Sequence, residues 1–288
     1  MRGEGDIQIG KRSRAINAQG WVEDKIAAGD IIPGSLAVNQ SGTSIFDPVL
    51  CELCYRWFCP PDGVVLDPFA GGSVRGIVAC KLGRRYVGID LRPEQIAANE
   101  TQAQSICDPA MMPSWLCSDA VEIDTHCAGL AADFIFSCPP YADLERYSDD
   151  PRDLSTMAYA DFRKALASIV RKSCELLKPH RFACIVMGDA RGADGNYYGL
   201  PGHTVEAFVA AGLALYNHAI LVTAAGSLPI RVRRQFEVSR KLGTTHQHVL
   251  IFIKGDPRIA TEAVGPVEFG ELGFADSGTD DSGIGGEV

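Results

Sequence analysis

The stretch that decides the fold is Val64-Val65-Leu66-Asp67-Pro68-Phe69-Ala70-Gly71-Gly72-Ser73. It begins with a short apolar run, which is typical of a strand buried in a parallel sheet. This run predicts a strand over residues 64–67, and the residues after the two glycines predict a helix over 73–82. A strand, a glycine-rich turn and a helix in this order form the first βα unit of an open α/β sheet, where nucleoside cofactors bind.

A second stretch of the same kind is Asp133-Phe134-Ile135-Phe136-Ser137-Cys138-Pro139-Pro140-Tyr141. Its apolar part predicts a strand over residues 133–137. The two prolines remove two backbone N–H groups and stiffen the loop that follows. Tyr141 adds an aromatic face beside that loop, so the segment is suited to holding a flat ligand.

Together these two stretches resemble the S-adenosylmethionine-dependent DNA amino-methyltransferases, which methylate N6 of adenine or N4 of cytosine. The resemblance covers roughly residues 40–255 and is closest to phage or prophage members of the group. It implies a Rossmann-like class I methyltransferase fold of the α/β class. In that fold the sheet has seven mostly parallel strands and an antiparallel hairpin at its edge.

The rest of the chain also predicts alternating strands and helices, which is the pattern of parallel βαβ units. Asp47 and Pro48 are typical of a helix start, and Pro179 is expected to stop a later helix. The last two strands are expected to be joined without a helix. Further strands are predicted at 85–90, 114–117, 181–187, 215–224 and 247–254, and further helices at 44–58, 93–105, 159–177 and 203–211.

Three regions are expected: an N-terminal arm at 1–40, a methyltransferase domain at 41–256 and an acidic, disordered tail at 257–288. The arm has weak periodicity, with one short helix expected around residues 15–28. The net charge of the chain is −9, but no basic residue follows Arg258 and seven acids do. The tail therefore carries most of the net charge, and the remainder is close to neutral. A near-neutral body leaves room for local basic patches to dominate its field.

Composition excludes several classes of protein. No apolar run approaches the length of a membrane span, and the start of the chain lacks the apolar run of a secretory signal. The ten cysteines form no disulfide framework, so a reduced, cytoplasmic protein is expected. One half of a zinc site is suggested by the spacing of Cys51, Cys54 and Cys59. No second pair of ligands has suitable spacing, so these residues are interpreted as buried core thiols. No metal site is expected.

The expected cofactor is S-adenosylmethionine. Gly71 and Gly72 let the backbone approach a ligand closely, and Asp90, at the end of the second strand, is placed to accept both ribose hydroxyls. The alternative role for Asp90 is a helix cap, and for Asp47 a helix start. The residue pattern and the family resemblance together predict the residues that contact the cofactor. They are Phe46, Asp47, Asp67, Phe69, Ala70, Gly71, Gly72, Ser73, Asp90, Leu91, Asp119, Ala120 and Ser137.

The catalytic residues are predicted to be Cys138, Pro139, Pro140 and Tyr141. An amino group on a base is a poor nucleophile, and acceptors aimed at its N–H bonds favour attack by its lone pair. In the family an Asp, Asn or Ser and a backbone carbonyl supply the acceptors, while the aromatic ring stacks on a flipped base. Cysteine is a weak acceptor, so backbone carbonyls could carry this role here.

Three alternatives stay open, two of them because of Cys138. A thiolate at this position could attack C6 of cytosine and direct methylation to C5. The substrate could be RNA. A weak catalytic group would also suit a DNA-binding protein that keeps the cofactor fold without efficient catalysis.

A basic segment near the end of the domain is expected to contact double-stranded DNA through phosphates. It lies between two late strands, so it is predicted to form a loop or hairpin at the sheet edge. Without room for a large recognition domain, specificity is expected from loops 142–158, 189–203 and 226–247, from the arm, or from a second subunit in a homodimer. The predicted DNA-binding residues are Arg231, Arg233, Arg234, Arg240 and Lys241.

Overall fold

The computed structural model describes residues 46–142, 144–223 and 228–267, with the side chains of Pro229 and Arg231 also outside the description. Seven strands form one sheet in the order β3-β2-β1-β4-β5-β7-β6. The strands are β1 (Val64–Asp67), β2 (Arg85–Asp90), β3 (Ser114–Cys117), β4 (Ala132–Ser137), β5 (Leu177–Met187), β6 (Ala214–Val222) and β7 (His246–Lys254). All pairs are parallel except those that β7 makes with β5 and β6, which are antiparallel. The predicted fold class is confirmed.

Helices pack on both faces of this sheet. They are α1 (Pro48–Phe58), α2 (Val74–Lys81), α3 (Pro93–Ile106), α4 (Ile123–His126), α5 (Tyr159–Leu176), α6 (Leu200–Ala210), α7 (Leu228–Ser239) and α8 (Pro257–Val264). Successive strand residues point to opposite faces, so Val65 packs with α1 and α2 while Leu66 packs with α4 and α5. The central strands β1 and β4 are buried along their whole length, which explains their continuous apolar sequence.

The strand order reverses direction at β1. From β1 the chain moves outward through β2 and β3, and it then returns to the other side of β1 with β4 and β5. A crevice opens at the carboxyl ends of the strands where such a reversal occurs. The loops after β1 and β4, which contain both sequence motifs, therefore meet at one edge of the sheet.

The basic segment is a correction to the sequence-based expectation. Residues 228–239 form helix α7 between β6 and β7, so the last two strands are antiparallel but are not joined as a simple hairpin. Leu228-Pro229 is a usual helix start, because proline is tolerated in the first turn. The run of arginines concealed that signal.

Two boundaries along the chain also differ from the sequence-based expectation. Helix α5 ends at Leu176 and β5 begins at once, so Pro179 lies inside the strand instead of stopping the helix. The pairing of β4 with β5 shifts register between Ala132 and Phe134, which leaves Pro179 outside the regular ladder. Helix α8 occupies the first part of the predicted tail, and its Ala260 and Val264 are buried, so the folded body extends past residue 256.

Cys51, Cys54 and Cys59 are buried free thiols, as predicted. The predicted arm at 1–40 and residues 268–288 of the predicted tail lie outside the described residues. Within the described ranges, no helix combines the length and the apolar character that crossing a membrane requires.

Candidate functional site

An open cleft of about 630 Å³, counted to its mouth, lies at the carboxyl edge of the sheet. The loops after β1, β2, β3 and β4 line it, together with the segment that follows the Pro-Pro-Tyr loop. The predicted residues among its walls are Phe69, Asp90, Leu91, Asp119, Ala120, Cys138 and Pro140. The structure therefore brings seven residues from the two predicted sets to one cavity.

Asp90 connects the cleft wall to the glycine turn. One carboxylate oxygen accepts the Gly71 N–H at 3.0 Å, and the other accepts the Arg92 N–H at 2.9 Å. Burial raises the pKa of Asp90 above its usual range, although the N–H donors from Arg92 and Gly71 act to lower it. Each oxygen accepts one of these bonds and has a second lone pair, so the carboxylate can still accept hydroxyls from a ligand in the cleft.

The glycine turn leaves space where side chains would otherwise stand. Gly71 has a φ of +50°, and a Cβ on Gly71 or Gly72 would meet no atom within 4 Å. The Gly71 carbonyl accepts a hydrogen bond from Asn99 Nδ2 at 2.7 Å. The turn is therefore held from behind by Asp90 and Asn99, while its front faces open space that a ligand can fill.

A buried ion pair holds the start of this turn. Arg75 Nε donates to Asp67 Oδ2 at 2.6 Å, and Arg75 Nη2 donates to the carbonyls of Phe69 and Ala70. Asp67 also accepts hydrogen bonds from Tyr86 Oη at 2.7 Å and Ser137 Oγ at 2.5 Å. Burial acts to lower the pKa of Arg75, but Asp67, Tyr86 and Cys138 together outweigh it and hold that pKa above its usual value.

Six residues predicted to contact the cofactor have side chains that bond or pack within the protein, and their cofactor contacts stay a prediction. Asp67 and Ser137 are fully buried in the network around Arg75. Ala70 is also fully buried, and the Ser73 hydroxyl bonds to Gln102. Phe46 lies against the Arg75 guanidinium and Phe136, and Asp47 caps α1 through the N–H groups of Val49 and Leu50. Asp47 thus has the alternative role that was named for it, a helix start.

Asp119 stands at the far end of the cleft, after β3. Its side chain accepts the Val121 N–H at 2.9 Å and begins the short 3-10 helix Ala120–Glu122. The preceding residue, Ser118, donates its N–H to the Asp90 carbonyl at 3.0 Å and also lines the cleft. The ends of β2 and β3 therefore present two carboxylates to one cavity.

The Pro-Pro-Tyr loop forms the opposite wall. Cys138 and Pro140 line the cleft, while Pro139 is buried behind them. Cys138 Sγ lies 3.5 Å from Tyr141 Oη, and Gln247 Nε2 donates to the same hydroxyl at 2.7 Å. Burial raises the pKa of the Cys138 thiol, although the Arg75 charge acts to lower it. The thiol is therefore protonated at neutral pH, which is unfavourable for a nucleophilic thiolate.

The segment after Tyr141 closes one side of the cleft. Tyr147, Arg152, Asp153 and Leu154 all line it. Asp153 is buried and accepts hydrogen bonds from the Ser148 hydroxyl at 2.8 Å and from the Ser155 hydroxyl at 2.7 Å. Polar side chains thus brace the described part of this loop from within.

The basic segment lies at the same sheet edge, because Val222 at the end of β6 pairs with His246 at the start of β7. Arg234 is exposed, and Arg233 is exposed beside Glu237, with which it forms an ion pair. Arg240 stacks on Phe236, and Lys241 lies over Gly195. The side chain of Arg231 lies outside the described part of the chain. The predicted cations are thus near the cleft edge, but on a helix and the turn after it.

Sequence reasoning missed several residues of this site. Arg75 gives a weak signal, a charged residue in the first turn of a helix that is uncharged from there to Cys80. Asn99, Tyr147 and Asp153 give none beyond their polarity, and Gln247 lies in a strand far along the chain. Their roles depend on contacts between distant segments, which periodicity does not reveal.

Comparison with known proteins supports the resemblance over part of the chain. Residues 44–101 match the N6_N4_Mtase family model, described as DNA methylase. The type II methyltransferase M.XycI of Xanthomonas campestris pv. cyanopsidis is 40% identical over 62 residues, which are 21% of this chain and 21% of that protein. The matched part thus spans about a fifth of the relative's length.

Solved structures share the fold at low identity. TrmN from Thermus thermophilus superposes with a TM-score of 0.51 and 16% identity, covering 76% of this chain and 51% of that one. The cyclase SpnF superposes with a TM-score of 0.50 and 14% identity, covering 72% of this chain and 81% of that one. A cyclase on this fold shows that chemistry must be argued from the site. The resemblance to the N6/N4 DNA methylases is confirmed by the match over residues 44–101, and the chain has the Rossmann-like class I methyltransferase fold.

Proposed function

We propose that this chain transfers a methyl group from S-adenosylmethionine to an exocyclic amino nitrogen of DNA, N6 of adenine or N4 of cytosine. The observation that carries this proposal is the convergence of both sequence motifs on one cleft. Asp90 and Asp119 line one side of it, and Cys138 and Pro140 line the other. A cofactor held on the first side would lie next to a base held on the second.

The residues of the first side fit S-adenosylmethionine. Asp90 has free lone pairs for the ribose hydroxyls, and Asp119 is placed to accept the amino group of the adenine ring. The open space in front of Gly71 and Gly72 fits the methionine part. When bound, the cofactor supplies the methyl group, whose bond to sulfur breaks as the amino nitrogen bonds to carbon and releases a proton.

The residues of the second side fit an amino group that must attack as a nucleophile. The prolines leave the carbonyl groups of this loop without competing N–H groups of their own, so these carbonyls can accept from the amino group. A protonated Cys138 stands beside them as a weak acceptor. Tyr141 offers an aromatic ring for stacking of a base turned out of the duplex.

Helix α7 and the turn after it are proposed to contact the phosphates of the duplex. The support is their position at the cleft edge together with the exposed Arg234 and the Arg233–Glu237 pair. Exposed apolar side chains, Ile230 and Val238, stand on the same helix. A helix with cations and apolar groups fits the major groove, where phosphates and thymine methyl groups are both in reach.

A second copy of the chain is the other partner that we propose. Strand β6 is the outermost strand, carries no charged residue and exposes Leu215, Tyr216, Ile220 and Val222. An uncharged edge strand is a template for pairing with another strand. Val222→Lys should shift the mass measured by light scattering from dimer to monomer; a wild-type monomer would reject this partner. We propose that the association with DNA and the association with a second copy both take place in the cytoplasm.

The decisive experiment is methyl transfer from isotopically labelled S-adenosylmethionine to unmethylated DNA, with RNA as a competing substrate. Nucleoside mass spectrometry should detect labelled N6-methyladenine or N4-methylcytosine in DNA. Label in RNA or at C5 of cytosine would select those alternatives. DNA binding without any transfer would select the catalytically weak binding protein.

Cys138→Ser separates the mechanisms. Serine supplies a better acceptor of similar size, so amino methylation should persist or rise in this variant. A nucleophilic thiolate predicts loss of turnover in Cys138→Ser and a covalent adduct of the wild type with DNA containing 5-fluorocytosine. Either result would overturn the proposed mechanism while leaving the fold unaffected.

A further inference from the structure

We propose that Gln247 is a positioning residue that holds the ring of Tyr141 in the orientation needed for a base to stack on it. This inference rests on the proposed function. Its central observation is the hydrogen bond from Gln247 Nε2 to Tyr141 Oη, 2.7 Å long and spanning 106 positions of the sequence.

Contacts on several sides fix the ring of Tyr141. Gly188, directly after β5, lies so close that a Cβ there would stand 3.3 Å from Tyr141 Cε2. The hydroxyl lies 3.5 Å from Cys138 Sγ and accepts from Gln247. Burial raises the pKa of Tyr141, so the hydroxyl keeps its proton. It can therefore donate towards Cys138 while it accepts from Gln247.

The position of Gln247 in β7 explains how it reaches the ring. Gln247 pairs with Leu221 of β6, and β7 begins one residue earlier at the sheet edge where the cleft opens. The neighbours His246 and His248 point to the opposite face, where His248 bonds to His218. Gln247, on the other face, reaches the Pro-Pro-Tyr loop. The residues after it, Val249 to Ile253, are buried and apolar.

A bond at the far end of the ring has a mechanical consequence. A tyrosine can turn about two side-chain torsions, and a hydrogen bond to its hydroxyl restricts both. Loss of the Gln247 bond should therefore leave Tyr141 present but less well oriented, which reduces turnover more than it reduces binding of cofactor.

The test is a double-mutant cycle with Gln247→Leu, Tyr141→Phe and the combined variant, with turnover on unmethylated DNA as the readout. Each single change should lower kcat about tenfold, the loss expected for one hydrogen bond that orients a reacting partner. The combined variant should be no slower than the slower single variant, because both changes remove the same bond. The dissociation constant for S-adenosylmethionine should stay within about twofold of wild type.

Matched variants control this cycle. Gln104→Leu changes an exposed glutamine on α3 and should leave kcat unchanged. Gln247→Glu keeps the length and can accept from the tyrosine hydroxyl, so it should restore part of the rate. Additive losses in the double variant, or a wild-type rate in Gln247→Leu, would overturn the role of Gln247.

A measurement independent of activity is NMR of protein labelled with 13C in its tyrosine rings. The Tyr141 signal is identified by its absence in Tyr141→Phe. It should move or broaden in Gln247→Leu and stay unchanged in Gln104→Leu; an unmoved signal contradicts the inference. A wild-type protein that transfers no methyl group to DNA would instead reject the proposed function, and with it the role of Tyr141 as a stacking surface.

Discussion

The loops after β1 and β4 line the same cleft but are held in different ways. The loop after β1 is held mainly by side chains of its own βαβ neighbourhood: Arg75, Asp90 and Asn99 lie within 28 positions of the atoms they contact. Ser137 of β4 adds a more distant contact, to Asp67 and to the Phe69 N–H. The loop after β4 contains two prolines, and its tyrosine is held by Gln247, 106 positions away. One loop is stabilised mostly by local contacts, and the tyrosine of the other is held from a more distant strand of the sheet.

This difference separates two kinds of site. A loop fixed by a buried ion pair and backbone hydrogen bonds keeps its shape without a ligand, which suits a cofactor of constant structure. A loop fixed from a distant strand can respond to whatever contacts that strand, which suits a large substrate such as DNA. The predictions below test the first loop, then the second.

The largest expected effect is loss of the ion pair behind the loop after β1. Arg75→Met should lower the free energy of unfolding by about 3–5 kcal/mol, because it leaves the Asp67 carboxylate buried without its partner. Chemical denaturation measures this change. Arg56→Met is the control, since the Arg56–Glu52 pair is half-exposed and should contribute a few tenths of a kcal/mol. Equal effects of the two substitutions would show that the buried pair does not hold the loop.

The second expected effect is on cofactor affinity. Asp90→Ala removes the acceptor for two hydroxyls and should weaken binding of S-adenosylmethionine by about 2–4 kcal/mol. Titration calorimetry measures it. Unchanged affinity would show that Asp90 only holds Gly71 and Arg92.

The pKa of Asp90 adds a pH dependence with a definite sign. The ionised carboxylate is the better acceptor, so affinity should be full above the pKa of the folded protein and fall as pH drops through it. Since burial raises that pKa, the fall should begin at a higher pH than for an ordinary aspartate. Asp90→Asn should flatten the profile; a profile that stays the same in this variant would assign the titration to another group.

The third expected effect is on the salt dependence of DNA affinity. It concerns the basic segment, which lies at the sheet edge beside the loop after β4. If Arg234 and Lys241 contact phosphates, replacing both with glutamine should reduce the slope of log affinity against log salt by about 2. DNA binding measured by anisotropy at several salt concentrations gives this slope. The double variant Arg56→Gln with Arg171→Gln removes two exposed cations on α1 and α5 and should leave it unchanged. The same slope in both double variants would make the basic segment a solvated surface.

The smallest expected effect separates the two glycines of the turn. Gly71→Ala should cost about 1 kcal/mol of stability, since its φ of +50° is unfavourable for alanine although no atom blocks the new Cβ. Gly72→Ala should cost close to nothing in thermal unfolding. Both should weaken cofactor binding if the open space is the methionine site. A stability loss that is larger at Gly72 would reverse this assignment.

The sequence by itself determined the strand order through Ser137, helices α1 to α3, the parallel sheet and the two motifs of the cleft, but not the short helix α4. These features depend on local periodicity and on turns, which act over a few residues. Asp90, Asp119 and Cys138 could be identified because each follows a recognisable strand, and the carboxyl ends of parallel strands share one edge. Helix α7 was missed because charge dominated its composition.

Only the tertiary structure decided what each polar residue does. Asp67, Ser73 and Ser137 stand in the motif but face the interior, because Arg75, Gln102 and Tyr86 offer partners there. Asn99 and Gln247 stand outside every motif yet hold the two loops. Hydrogen bonds between segments far apart in the chain leave no periodic trace in the sequence, since they depend on where the folded strands meet.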